Sequence, residues 1–242
     1  LERFTCGAAD FDGTNDYMLR GGGLTGAADS KSGLLSAWIR LDGGNGSSLR
    51  ILSGPDPNIQ YFGFNRSTTS KIRVRVPGTD GAIKVELNTA ASFSAAATWI
   101  HILSAWDVAA GAGTGRLYIN DVSDCTETTY TDATLDYTEA EWGVGSDGSG
   151  NFKFNGCLAE LYFAPGQYLD FSVEANRRKF ISAIGKPMYL GADGSLPLGS
   201  APIIYQHLDV GEAVANFAVN KGTGGNFSIT GTLGSASTSP SD

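Results

Sequence analysis

The sequence predicts an all-β fold: an antiparallel two-sheet jelly-roll sandwich with one short helix and an extended C-terminal segment. Three observations carry this prediction. Short apolar or alternating runs recur at 34–41, 59–64, 71–76, 82–87, 99–106, 116–120, 152–155 and 157–163, which is the pattern of half-buried strands. Turn-forming clusters such as Asp42-Gly-Gly-Asn-Gly-Ser47 and Ser146-Asp-Gly-Ser-Gly-Asn151 separate the runs, supplying the positive φ and local side-chain hydrogen bonds that tight turns need. Glycine, at 33 of 242 residues, has about twice its usual share, which suits many turns better than helices.

Taken in order, Phe11-Asp-Gly-Thr-Asn-Asp-Tyr17 lies ahead of the strands and carries the Asp-Gly and Asn-Asp pairs of turns. The two longest runs, Gly33 to Leu41 and Thr98 to Asp107, read as strands, the second leading into Arg116 to Asp121. With the run ending at Tyr162 they place Trp38, Ile39, Trp99, Ile100, Ile102, Leu117, Ile119 and Leu161 in the core. Lys71 to Val76 alternates without a break, so Ile72, Val74 and Val76 face inward while Lys71, Arg73 and Arg75 face water or a partner. A helix is predicted near 172–184, with Ser172 as N-cap, Glu174 in the first turn, Val173, Phe180 and Ile184 as its apolar stripe and Gly185 as terminator. Residues 1–185 thus form the sandwich. Residues 186–234 are extended segments wrapping it or a neighbouring subunit, since Ile203, Ile204, Tyr205, Phe217, Phe227 and Ile229 favour burial, and 235–242 is a flexible tail.

Composition narrows the function. A net charge of −8 with pI near 4.7 excludes a nucleic-acid partner, because phosphate binding needs a positive surface. The cluster Arg177-Arg178-Lys179 suits the C-terminal half of the predicted helix. No apolar run approaches the ~20 residues of a membrane-spanning helix. The opening Leu1-Glu-Arg-Phe-Thr-Cys6 lacks an initiator Met and a signal-like apolar region, which reads as a trimmed product. Cys6, Cys125 and Cys157 have no metal-ligand spacing; a Cys125–Cys157 bridge and buried free thiols are both open, with free thiols favoured.

The order FDGTNDYM, LLSAWIRL, ATWIHILSAWD, GRLYIND and GVGSDGSGNFKFNGCLAELYF over 8–163 resembles the laminin-G-like branch of the concanavalin A-like lectin/glucanase superfamily. The stretch from Tyr168 through LDFSVEANRRKFISAIGKP and NKGTGGNFSITGTL is similar to versions of that fold in tailed-phage and prophage virion proteins. Glucanases of the superfamily carry a Glu-x-Asp-x-x-Glu strand that sets two carboxylates a few ångströms apart. The triplet does not occur here, and Glu139, Glu141, Asp132 and Asp136 read as solvated charges, so the chain is expected not to be an enzyme.

The resemblance also implies calcium and a glycan at the loop rim. It makes Asp10, Asp12, Asn15 and Asp16 the first candidate ligands and Asp147 and Asn151 the second. Turn formation by the same side chains without any ion is the favoured alternative. The implied function is a non-enzymatic virion structural protein, a capsid decoration or a tail or fibre component at the virion surface, with other virion proteins and further copies of itself as partners. The alternative is a carbohydrate-binding module for a host-surface or environmental glycan, with calcium as the cofactor it would take.

Overall fold

Two antiparallel sheets pack face to face in the computed structural model, which describes residues 4–55 and 61–242. In chain order the strands are β1 (Ala9–Asp12), β2 (Tyr17–Gly21), β3 (Ser32–Leu41), β4 (Leu49–Ser53), β5 (Gly63–Arg66), β6 (Ile72–Pro77), β7 (Ile83–Asn88) and β8 (Trp99–Asp107). They continue as β9 (Arg116–Ile119), β10 (Val122–Ser123), β11 (Thr126–Tyr130), β12 (Glu141–Val144), β13 (Asn155–Pro165), β14 (Ile204–Gln206), β15 (Ser228–Thr230) and β16 (Gly234–Ser235). The first sheet runs β10-β9-β8-β3-β13-β1-β16, with β14 also paired to β13, and the second runs β11-β7-β6-β5-β4-β12-β2-β15. The expected jelly-roll sandwich is therefore the fold. Residues 59 and 60 of the expected run 59–64 lie outside the described residues, and its strand starts at Gly63.

Period-2 alternation fills the space between the sheets. Ile72, Val74 and Val76 are fully buried in the shared core, as are Ile39, Ile102, Leu117 and Leu161, with Ile119 nearly so. The centre is aromatic: the Phe62 ring lies 4.6 Å from Phe163 and 5.2 Å from Trp142. Trp106 donates its Nε1–H to Tyr137 Oη at 2.7 Å, and Tyr137 donates in turn to Ser32 O at 2.8 Å, so a buried indole and phenol are both satisfied. Between β9 and β10, Asn120 and Asp121 have φ of 49° and 68°, the left-handed pair that a two-residue hairpin turn requires.

Four expectations change. Trp38 and Trp99 do not belong to the inter-sheet core: alternation turns them to the opposite face from Ile39 and Ile102, where Trp38 packs with Cys6, Ala8, Ala159 and Ile181 and half-buried Trp99 joins them. Ile100 does face the core but is only partly buried. The helix shrinks to α1 (Glu174–Arg177), with Val173 at its N-cap position, because Phe180 and Ile181 both turn into apolar clusters on that outer face while Val173 and Ile184 point to solvent. The run 152–155 is a turn leading into β13. Residues 235–242 make contacts with the sandwich: Ser235 pairs in β16, Ser241 accepts the Cys6 N–H at 3.2 Å, and Thr238 receives Arg40 and Trp99.

The C-terminal segments return to the same sandwich: β14 extends the first sheet beside β13, β15 pairs with β2, and Ile204, Phe217 and Phe227 are buried in the core. The three cysteines are free. Among the described residues no helix is long and apolar enough to cross a membrane.

Trp106→Ala removes a fully buried indole and is expected to cost about 3–5 kcal/mol. Trp99→Ala, on the half-buried outer face, is expected to cost less; equal losses in urea unfolding would contradict the placement of the two rings. His101 yields a pH prediction. Burial holds its pKa down at about 3, so below pH 6.5 the unfolded chain takes up a proton that the native state refuses. Stability is present above that pH and falls as the pH drops from 6.5 towards 3, by up to about 1.4 kcal/mol per unit. His101→Gln should flatten this part of the profile, and an unchanged slope would refute it.

Candidate functional site

The acidic turns singled out in the sequence are built by their own side chains. Asp12 Oδ1 accepts the N–H groups of Thr14 at 2.7 Å, Asn15 at 3.0 Å and Asp16 at 3.2 Å. Against a desolvation cost, these bonds and the nearby charge of Lys153 hold the Asp12 carboxyl below its usual range. Asp16, almost fully buried, accepts the Thr232 N–H at 2.7 Å and so ties this turn to the C-terminal segment. Asp147 Oδ1 accepts from Ser149 N at 2.9 Å and Asn151 N at 2.7 Å. This second turn folds back over β12, where Gly143 is required because a Cβ there would overlap Asp147 O.

Both turns meet at Tyr17 and Lys153. Lys153 donates to Gly150 O at 2.9 Å, and its Nζ lies 5.4 Å from the Tyr17 ring centroid. Beside them Phe152 has φ of 53°, a conformation that costs a bulky side chain about 1–3 kcal/mol. The residue is 45% exposed, and its ring covers the Arg50 guanidinium at 4.6 Å, while Tyr61 lies 4.8 Å from the same guanidinium. Arg50 N also donates to Phe152 O at 2.9 Å. The result is a rim carrying an exposed aromatic face, a cation beneath it, and Tyr17 and Lys153 alongside.

Asp10 is drawn away from this rim. Its carboxylate lies with Asp42 and Cys157 on the outer face of the first sheet, where their ligand-type atoms fall within 4.8 Å of one another. Among the described residues this is the convergent group of Asp, Glu, His and Cys side chains. It fits a hard cation poorly. Burial and the two carboxylates push the Cys157 thiol up, so it stays protonated and donates to Asp10 at 3.5 Å and Asp42 at 3.4 Å. Arg40 already holds both Asp42 oxygens at 2.8 Å. At the rim, one oxygen each of Asp12, Asp16 and Asp147 is occupied by backbone N–H groups, and Asn15 contributes its N–H to the Asp12 turn.

Glu139 and Glu141, expected as solvated charges, differ from each other. Glu141 is exposed, whereas burial pushes the half-buried Glu139 carboxyl up to about 7 although Oε1 accepts the Phe62 N–H at 3.3 Å. Sequence reading missed Phe152 and Arg50. The available signal was Asp147-Gly-Ser-Gly-Asn151 directly before Phe152, which marks a turn rather than the start of a strand.

The family model for the concanavalin A-like lectin/glucanases superfamily matches residues 12–165. A candidate carbohydrate-binding protein from Bacteroides ovatus superimposes with a TM-score of 0.57 at 15% identity, over 98% of this chain and 61% of its own. The heptameric SAP-like pentraxin of Limulus polyphemus gives 0.49 at 13% identity, over 69% of this chain and 78% of its own. Domains LG4-5 of the mouse laminin α1 chain give 0.48 at 15% identity, over 70% and 44%. No curated protein matches the sequence. With its sandwich topology and the family match over most of its length, the chain belongs to the concanavalin A-like lectin/glucanases superfamily, in its laminin-G-like branch.

Proposed function

We propose that this protein is a non-catalytic carbohydrate-binding sandwich whose glycan contacts centre on the rim formed by Phe152, Arg50, Tyr17 and Lys153. The observation that carries this reading is Phe152, held at positive φ and half exposed over a guanidinium. An aromatic face stacks on the C–H face of a sugar ring, and flanking polar groups then fix its orientation. Strain of this kind persists where the surrounding structure fixes it, and it concentrates at binding sites. The fold likeness to the Bacteroides protein agrees with this class and goes no further. Phe152→Ala relieves the backbone strain only in part and removes the stacking face. It should leave the melting temperature within about 2 °C and reduce glycan-array signal at least tenfold; an unchanged array profile would refute the rim.

Binding on this reading uses side-chain and stacking contacts, with calcium outside the first shell of the sugar. Chelator-treated and calcium-loaded protein should therefore bind the same array hits equally and melt alike. A calcium-dependent rise in either quantity would reassign the Asp12 and Asp147 turns as ion ligands.

A second reading places the module on the surface of a tailed-phage particle in many copies, as the resemblance of its C-terminal stretch implies. What supports it structurally is the apolar surface left in that stretch: Ile184 is 77% exposed, Leu196 64% and Tyr189 51%, where a neighbour gains most from contact. Ile184→Ser combined with Leu196→Ser should leave folding intact and lower incorporation into particles. Normal copy number in purified virions would remove these residues from the contact.

A further inference from the structure

The buried imidazole of His207 stands between two carboxylates. Its Nδ1 pairs with Glu160 on β13, and its Nε2 lies 3.2 Å from Asp209 Oδ1. A neutral imidazole carries one N–H and one lone pair, so in either tautomer one of these carboxylates faces a lone pair. Only the imidazolium donates to both. Glu160 is 2% exposed, and among the described residues its ion-pair partner is His207. Loss of the imidazolium charge therefore leaves a buried carboxylate without a counter-charge. The Asp209 side chain is 82% exposed, which puts the Nε2 side of the ring within reach of water.

The same ring holds the start of the chain. Phe4 stacks on it with centroids 5.8 Å apart, and Tyr205 with centroids 5.7 Å apart. Beyond Phe4, the Cys6 N–H donates to Ser241 Oγ at 3.2 Å, Gly7 N–H to Leu208 O at 2.8 Å, and Ala8 O accepts the Ala236 N–H at 3.0 Å. The apolar contacts of Phe4, Cys6 and Ala8 are with Trp38, Ala159 and Ile181, in a cluster separate from the inter-sheet core. An open cavity of about 280 Å³ runs beside Cys6, Gly7, Asp209 and Thr238. Residues 4–8 can thus open without disturbing the packing between the sheets.

The other groups around the ring are the Tyr205 phenol, which donates to Glu160 at 2.9 Å, the Cys6 thiol, Tyr189 against Phe4, and Glu212, which accepts the Asp209 N–H at 3.1 Å; Asp242 acts on Cys6. Burial and the charge of Glu160 push the thiol and the phenol up, so both stay protonated. Burial works against the charged imidazole, but the bonds and charges of Glu160 and Asp209 raise its pKa.

We infer that His207 is a pH-operated latch: as the imidazolium it closes residues 4–8 over the outer face of the first sheet, and as the neutral imidazole it lets them open and uncover Trp38 while the sandwich stays folded. The closed form is fully held below the ordinary histidine value of about 6.5 and is weakened as the pH rises from there through the raised one.

The test is hydrogen exchange of the full chain, read by mass spectrometry from about pH 6 to about pH 10 with labelling times scaled for the intrinsic exchange rate. Imidazole NMR signals of the same samples follow the titration of His207. Protection of residues 4–8 should fall by up to about tenfold per pH unit above about 6.5 and level off beyond the His207 midpoint, while β6 keeps its protection. His207→Gln, which cannot gain a charge, should show no pH dependence in this segment. Asp209→Asn, at an exposed side chain, leaves one carboxylate that a neutral imidazole satisfies, so residues 4–8 should stay protected throughout.

Equal protection of residues 4–8 across the range in wild type while His207 titrates would overturn the latch, as would a pH dependence that persists in Asp209→Asn or His207→Gln. Loss of protection in β6 together with residues 4–8 would make the transition global unfolding and overturn it too. If His207→Gln does not fold, Asp209→Asn decides alone.

Discussion

Both ends of the chain are attached to one strand. β13 pairs with β3 along one edge, and its other edge is shared: residues 155–158 pair with β1 and residues 161–163 with β14. Glu160 stands at the changeover, in a break of register, with φ of 50° and almost no exposure. A left-handed glutamate inside a strand is strained, and its carboxylate shows what that geometry achieves. It accepts Tyr205 Oη–H at 2.9 Å and pairs with His207 Nδ1, both from the returning C-terminal segment, while Asp209 lies 3.2 Å from His207 Nε2. Phe4 and Tyr205 stack on the two sides of the imidazole. Burial works against the charged imidazole, but the bonds and charges of Glu160 and Asp209 outweigh it and raise its pKa. The stabilisation is thus present below the unfolded value and lost as the pH rises through the raised one. Removing either partner would strand a buried charge.

This attachment determines what each outer face is free to do. On the first sheet, Leu34, Leu103, Tyr162 and Tyr205 pack under Phe171, Phe180 and Leu190, while Trp38 and Ala159 pack under Cys6 and Ile181. The chain's own termini therefore cover that face. On the outer face of the second sheet Arg73, Arg75 and Glu86 of β6 and β7 stay partly exposed, whereas Arg50, Ser53 and Asn65 of β4 and β5 are buried.

The strands were legible where one face is apolar and the other polar, as in β6 and β8. They were illegible where packing overrode pattern. β11, with the sequence TETTY and no buried residue, carries no apolar periodicity and is ordered by its pairing with β7. The helix was over-read because Ser172 and Gly185 supply its punctuation, whereas burial of both Phe180 and Ile181 requires the chain to leave the helix after Arg178. At the site, Asp12 and Asp147 could be read as turn formers because their partners lie within four residues. Arg50, Asn65 and Arg73 could not be read together, since their adjacency comes from strand register rather than from local sequence.

Arg66 and Arg73, on neighbouring strands, show how alternation gives one residue type two environments. Arg66 is fully buried, and its guanidinium donates to Gly44 O and, at 3.1 Å, to Asn45 Oδ1, so it holds the β3–β4 connection against the core. Its hydrogen bonds are all internal, and its Nε is buried without a partner. Arg73 lies on the neighbouring strand with the opposite orientation: partly open, with the charges of Arg75 and Glu86 nearby and one hydrogen bond to the Asn65 amide oxygen at 3.3 Å. The same residue type is thus a buried brace on the inner face and a half-exposed group on the outer one, and strand alternation alone assigns which is which.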